Sequence, residues 1–160
     1  MRGFTLIELM VTITVAALLL AIGVPTFRDV ALGSRLSATA NDLLASVQLA
    51  RSEAIKRNIT VTVCPSTDGA DCDGGADWGL GWVVRDAAGV IQRQAELPAG
   101  YRMTQDGGTV PLDFDPIGIG ATPATITACR ETPVGTQERV VNVSAMGSVH
   151  IETTKTGTCP

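Results

Sequence analysis

The sequence predicts an α+β chain: one long N-terminal helix, apolar in its first half and amphipathic in its second, packed on an antiparallel β-sheet domain. Three observations predict it. Residues 4–27 carry a single charge, residues 28–57 repeat apolar side chains at helical spacing, and residues 58–160 are rich in Gly, Thr, Val and Pro. A length of 160 residues suits one compact domain plus such a segment, because domains cluster near roughly 100–150 residues.

The apolar segment comes first. Between Phe4 and Phe27 the one charged residue is Glu8. As a helix, residues 4–27 would span roughly 36 Å, enough to cross the hydrocarbon core of a bilayer. Arg2 precedes the segment, so the positive-inside tendency puts the N-terminus in the cytoplasm and the remainder outside. A cleaved secretory signal would need a basic n-region and a small-residue site after the apolar core. Ala21 and Gly23 offer a weak A-x-G site, but the n-region is nearly absent and Glu8 interrupts the apolar run. A carboxylate inside a bilayer costs about 2.5–3.5 kcal/mol on insertion scales, so such a residue calls for a partner. Gly23 and Pro25 predict a kink or local unwinding near residues 21–25.

Beyond the membrane segment, Leu32, Leu36, Leu43, Val47, Ala50 and Ala54 fall at spacings of three, four or seven, the stripe of an amphipathic helix. Arg51, Lys56 and Arg57 gather toward its C-terminal end, where cations complement the helix dipole, and Asn58 reads as the stop. This basic group is read as a solvated helix terminus rather than a lipid or nucleic-acid patch. A net charge of −4 and a pI of 4.9 also count against a nucleic-acid binder, which needs clustered cations to displace condensed counterions.

Residues 58–160 are expected to form the β-domain. Residues 60–63 alternate as a strand ending at Cys64-Pro65, and residues 66–77 form a Gly- and Asp-rich loop. That loop holds Asp68, Asp71, Asp73 and Asp77, but it lacks the spacing and terminal glutamate of a calcium-binding loop, so it reads as a solvated turn. Trp78-Gly79-Leu80-Gly81-Trp82-Val83-Val84 resembles the tryptophan-glycine-tryptophan strand of GspH domains, which implies a strand over residues 78–84, with the tryptophans in the core rather than on a binding platform. A hairpin turn at residues 86–89 leads to a return strand from Val90. Leu112-Asp113-Phe114-Asp115-Pro116-Ile117-Gly118 resembles that family's phenylalanine-aspartate-proline strand and turn, and further strands are expected at residues 124–129, 139–144 and 148–152.

Cys64, Cys72, Cys129 and Cys159 all follow the membrane segment. An even number in an exported small domain points to disulfides. Three pairings are open; Cys64 with Cys72 would close a short loop, and Cys129 with Cys159 would tether the tail. A zinc site fits poorly, since no C-x-x-C pair occurs and His150 is the one histidine. No cofactor or metal is expected. Nor is an enzyme, because no nucleophile motif accompanies His150 and neither a P-loop nor a dinucleotide fingerprint is present.

The run Gly3-Phe4-Thr5-Leu6-Ile7-Glu8 resembles the cleavage and methylation signal of type IV pilins and type II secretion pseudopilins. The resemblance implies that a prepilin peptidase removes residues 1–3 by cutting between Gly3 and Phe4, and N-methylates Phe4. It also implies that Glu8 accepts the amine of a neighbouring subunit during filament assembly, which supplies the carboxylate with its partner. The corresponding loosening of the helix near Pro25 on packing is implied in the same way. The stretch Ala50-Arg51-Ser52-Glu53-Ala54-Ile55-Lys56-Arg57 with Val61-Thr62-Val63-Cys64, Trp78-Gly79-Leu80-Gly81-Trp82 and Leu112-Asp113-Phe114-Asp115-Pro116 resembles the GspH/FimT branch of that family. The implied organisation is a leader over residues 1–3, a transmembrane helix over 4–27, its amphipathic continuation over 28–57, and a periplasmic GspH-like domain over 58–160.

The expected function is that of a minor pseudopilin or pilin, partnered with other pilins through its N-terminal helix, with the prepilin peptidase and with the bacterial inner membrane. The alternative is a DNA-binding minor pilin for DNA uptake. DNA-binding members of the branch carry a glycine-arginine-x-arginine motif after the last hairpin turn. Here the matching residues are Gly147-Ser148-Val149-His150, and both arginines are missing. Arg139 and Lys155 are poor substitutes, so nucleic acid is not an expected partner.

Overall fold

The structure, a computed structural model, describes residues 4–118, 122–132, 134–135, 137–157 and 159, without the side chains of residues 25, 26, 28 and 29. Helix α1 covers Leu6–Arg57, and eight strands follow. Contacts group the chain into two compact units, Met1–Arg35 and Leu36–Pro160.

In the first unit, Leu6–Val24 is long and apolar enough to cross a membrane, and none of it is buried within the chain. Leu18, Leu19 and Ile22 stand exposed around the helix. A helix apolar on all sides and not covered by its own chain has the length and composition that a membrane segment requires. Residues 21–25 all lie within α1, so the expected local unwinding is not present. A proline removes one i→i−4 bond, and the intact turns on either side continue the helix across that gap.

In the second unit the helix turns amphipathic. Leu36, Ala40, Leu43, Val47, Ala50 and Ala54 are all buried, at alternating spacings of four and three. Leu32 falls in the first unit, and Ala40, too small to stand out in the sequence, fills the gap in the stripe. The helix ends at Asn58, whose φ of 54° is left-handed. The Ile59 N–H donates back to the Ala54 carbonyl at 3.3 Å, the six-to-one bond of a Schellman cap.

The strands make two four-stranded antiparallel sheets. One runs β3 (Gly89–Gln94), β2 (Trp82–Asp86), β1 (Val61–Pro65), β5 (Leu112–Phe114); the other runs β4 (Tyr101–Gln105), β6 (Ala124–Arg130), β7 (Glu138–Val143), β8 (Val149–Thr154). The buried stripe of α1 forms a single core with inward side chains of both sheets, among them Val63, Phe114, Met103, Ile126 and Val141. Strand β4 was not among the expected elements. Its inward face carries Tyr101, Met103 and Gln105, and the glutamine masks the apolar alternation.

Residues 78–84 do not form one strand. Trp78–Leu80 is a 3-10 turn capped by the Asp77 carboxylate, which accepts from Gly79 N–H at 2.8 Å, and β2 begins at Trp82. The break is fixed at Gly81, whose φ is 106° and where a Cβ would sit 2.6 Å from the Gln94 carbonyl. Both tryptophans reach the core with their indole N–H groups satisfied: Trp78 donates to Gln105 Oε1 and Trp82 to Ser46 Oγ, each at 3.0 Å. Ser46 is thus the one polar group on the buried side of the Leu36–Arg57 helix among the described residues, and it is there to serve Trp82.

Two disulfides staple the domain. Cys64 in β1 joins Cys72 in the following loop, and Cys129 in β6 joins Cys159 in the tail. A second device holds the same tail. Glu138 is 2% exposed, and its carboxylate accepts from Thr154 Oγ1 at 2.8 Å, Thr156 N–H at 3.0 Å and Gly157 N–H at 2.8 Å. Burial pushes the Glu138 carboxyl up more than any other single influence, but these hydrogen bonds together outweigh it and hold it below its ordinary value.

Ser46→Ala leaves the Trp82 N–H buried without an acceptor and should cost about 1–3 kcal/mol, measured by urea unfolding of the full chain in detergent. Ser52→Ala, which removes only a bond to Leu49 within the helix, should cost under about 0.5 kcal/mol. A depressed carboxyl adds stability above its ordinary value of 4.5 and loses that contribution as pH falls through the lower folded value. The stability difference between the wild type and Glu138→Gln should therefore be constant above pH 4.5 and shrink below it.

Candidate functional site

The N-terminus of α1 is organised by two side chains. Thr5 precedes the first helical residue, and its Oγ1 accepts from the Glu8 N–H at 3.3 Å. Glu8 reaches back: its Oε2 accepts from the Thr5 N–H at 3.0 Å and from Thr5 Oγ1 at 2.7 Å. This is a capping box, in which the N-cap and N3 residues satisfy two of the donors that every helix start leaves open. A carboxylate in the first turn also meets the positive end of the helix dipole.

Glu8 therefore has hydrogen-bond donors within its own chain, both supplied by Thr5. The signal, Thr5-x-x-Glu8, stood in the sequence as a helix-start pattern and was passed over for the cleavage motif it overlaps. Both hydrogen bonds converge on Oε2, and Oε1 takes part in neither. Phe4 is 79% exposed immediately before the box, so its backbone nitrogen lies next to the capped turn. Gly3 lies outside the described residues.

The other residues singled out by sequence are spread over the second unit. Asp68 accepts from Ser66 Oγ and from the Ala70 and Asp71 amides, Asp73 from the Thr67 hydroxyl and amide, and Asp71 pairs with Arg85 at 2.6 Å. These amide and hydroxyl donors hold the Asp68 and Asp73 carboxyls below their ordinary values. Each carboxylate closes its own loop, and among the described residues no group of three or more His, Cys, Asp or Glu is placed to hold a metal ion. His150 is exposed in β8, with its Nε2 3.3 Å from a Glu152 oxygen. Arg139 donates to Ser37 Oγ, the Glu138 carbonyl and Gln137 Oε1. The Ser144–Ser148 turn between β7 and β8 is closed by serine hydroxyls 2.7 Å apart.

A capped apolar helix leading into a small disulfide-bonded antiparallel domain is the architecture of a pilin-like subunit. The chain belongs to the GspH family, described as type II transport protein GspH, which matches residues 39–147; the prokaryotic N-terminal methylation motif matches residues 1–24. The pilin-like protein PilA1 of Thermus thermophilus is 29% identical over 164 residues, covering 94% of this chain and 98% of that one. The type IV minor pilin FimU of Pseudomonas aeruginosa superposes with a TM-score of 0.57 at 22% identity, over 72% of this chain and 91% of that one. The minor pseudopilin EpsH of the type 2 secretion system of Vibrio cholerae gives 0.56 at 16% identity, over 74% and 96%. These two likenesses speak to the fold, which is that of pilins and pseudopilins.

Thr5→Ala removes one half of the capping box. Hydrogen exchange of the Glu8 amide in detergent micelles should accelerate, by roughly tenfold, relative to an amide in the middle of α1.

Proposed function

We propose that the chain is a structural subunit, a minor pseudopilin or minor pilin, cut between Gly3 and Phe4, N-methylated at Phe4 and built into a type II secretion pseudopilus or type IV pilus. In this reading it supports protein secretion or pilus assembly, not catalysis. The prepilin peptidase and the other pilins are its partners. Before assembly it sits in the bacterial inner membrane, with its N-terminus cytoplasmic and residues 58–160 periplasmic.

One observation carries the reading: a methylation motif over residues 1–24 is joined by a single helix to a GspH domain, and Glu8 caps that helix beside Phe4. Cleavage would create an amine at Phe4. Because both hydrogen bonds that the Glu8 carboxylate accepts from Thr5 use Oε2, Glu8 can accept a neighbour's amine at Oε1 without giving up its cap. The transferred charge pair would lie in a lipid-like environment, where an ion pair is weakly screened.

Nothing in the last hairpin favours DNA uptake over assembly. Ser148 and His150 stand where the motif's two arginines would be, and His150 lies beside a carboxylate.

Glu8→Ala should still insert in the membrane and be cleaved but fail to enter filaments, as read by sheared-filament blots against the membrane fraction. Normal incorporation of that variant would sink the amine–carboxylate pairing. Gly3→Leu should accumulate as a precursor three residues longer, a mass difference visible by intact-protein mass spectrometry.

A further inference from the structure

The C-terminal part of α1, the β5–β6 connection and the β7–β8 turn meet around one side chain. Arg51 passes between two glycines of positive φ, one from each sheet's loops. Its Nη1 donates to the Gly147 carbonyl at 3.2 Å, and a Cβ on Gly118 would lie 3.4 Å from its Nε. Beside it opens a cleft of about 380 Å³. Gln48, Arg51 and Ser52 line one wall from α1, and Ser148 and Val149 line the other. Ile55, 51% exposed, forms an apolar end, and Gly118 approaches its Cδ1 so closely that a Cβ would sit at 2.6 Å. On the loops that flank the cleft, Ile117 is 74% and Met146 67% exposed.

The charges decide what such a cleft takes. Lys56, Arg57, Arg85 and Arg102 each meet a carboxylate of this chain within 3.5 Å. Arg51 meets none among the described residues; its recorded hydrogen bond goes to a carbonyl, which fixes the guanidinium while leaving its other N–H groups to donate. The Ser148 hydroxyl lies 2.7 Å from Ser144 Oγ, and with Ser144 as the donor of that bond its own proton is left to donate across the cleft. A guanidinium held in place, a hydroxyl opposite and an apolar end suit a carboxylate flanked by apolar side chains. A phosphate backbone would call for several clustered cations and would not use the apolar end.

We propose that this cleft docks an acidic side chain set among apolar ones on a neighbouring pilin subunit, with Arg51 as its anchor. The source of the ligand rests on the assembly reading above; the chemistry of the cleft does not.

The test uses the full chain in detergent micelles, titrated with acetyl-Leu-Glu-Leu-amide and with acetyl-Leu-Gln-Leu-amide. Amide shifts of Gly147, Ser148 and Val149 are the readout. The glutamate peptide should give saturable shifts at roughly tenfold lower concentration than the glutamine peptide. Arg51→Gln should abolish that preference and Arg51→Lys should keep part of it, since charge remains without the planar fork. Ser148→Asp leaves the Arg51–Gly147 contact in place and should block the cleft with its own carboxylate. Equal response to the two peptides, a preference that survives Arg51→Gln, or tighter binding of a short DNA duplex at the same residues would each overturn the proposal. Filament incorporation separates it from the assembly reading. A wild-type chain that enters no filament while preferring the glutamate peptide refutes only the neighbouring subunit as source. Wild type and Arg51→Gln entering filaments equally, with no peptide preference, refutes the cleft.

Discussion

Everything in the second unit depends on one apolar stripe, Leu36 to Ala54, that both sheets share as their inner wall. Neither sheet is large: each has four strands, and a lone sheet of that size keeps one face wet. Laying one helix across both converts two half-covered faces into one core. The stripe alternates four and three residues and mixes small members, Ala40, Ala50 and Ala54, with the larger Leu43 and Val47, all of them fully buried. The interior then has room for two indoles, and each indole N–H must find an acceptor inside. Ser46 and Gln105, both polar and both buried, follow from that requirement.

The same division of labour separates the two halves of α1. Up to Val24 no side chain of the apolar segment is covered by protein, and from Leu36 one face is covered fully. The helix thus carries two different apolar codes along one backbone. The first is apolar all round, for lipid or for other helices; the second is a stripe, for its own domain. Membership of the GspH family and the methylation motif fall on these two codes in turn, one over residues 39–147 and the other over residues 1–24.

Much of this was legible in the sequence, and the exceptions have physical reasons. Residues with strong local signals reported well: the uncharged run before Val24, the leucine and valine positions of the stripe, Asn58 at the helix end, and β6 and β7 with their alternating apolar residues. Strand β4 was hidden because an inward-facing glutamine does the work of a hydrophobic residue by capping an indole. The turn at Trp78–Leu80 was hidden because two glycines lie between aromatic residues that would suit a strand, and only the close approach of Gln94 reveals why Gly81 bends there. At the N-terminus the pattern was read for cleavage, and the capping role of Thr5 went unread though its spacing from Glu8 is diagnostic. The cleft at Arg51 had no local signal at all. It is made where the β5–β6 connection and the β7–β8 turn, the latter 96 positions along the chain, come up to Arg51, and tertiary approach of that kind leaves no trace in periodicity.

The closure at Glu138 and Cys159 also makes a ring of the last part of the chain. Cys129 lies in the middle of its sheet, on β6 between β4 and β7, while its partner lies beyond β8. Their Cα atoms lie 5.4 Å apart because β7 and β8 carry the chain across the sheet and the tail turns back over Glu138. The chain between the two cysteines thus forms a closed ring that contains β7, β8 and the turn joining them. The end of the chain is held twice, covalently to the middle strand and through the Glu138 carboxylate, so fraying of β8 from the sheet edge is opposed from its far side.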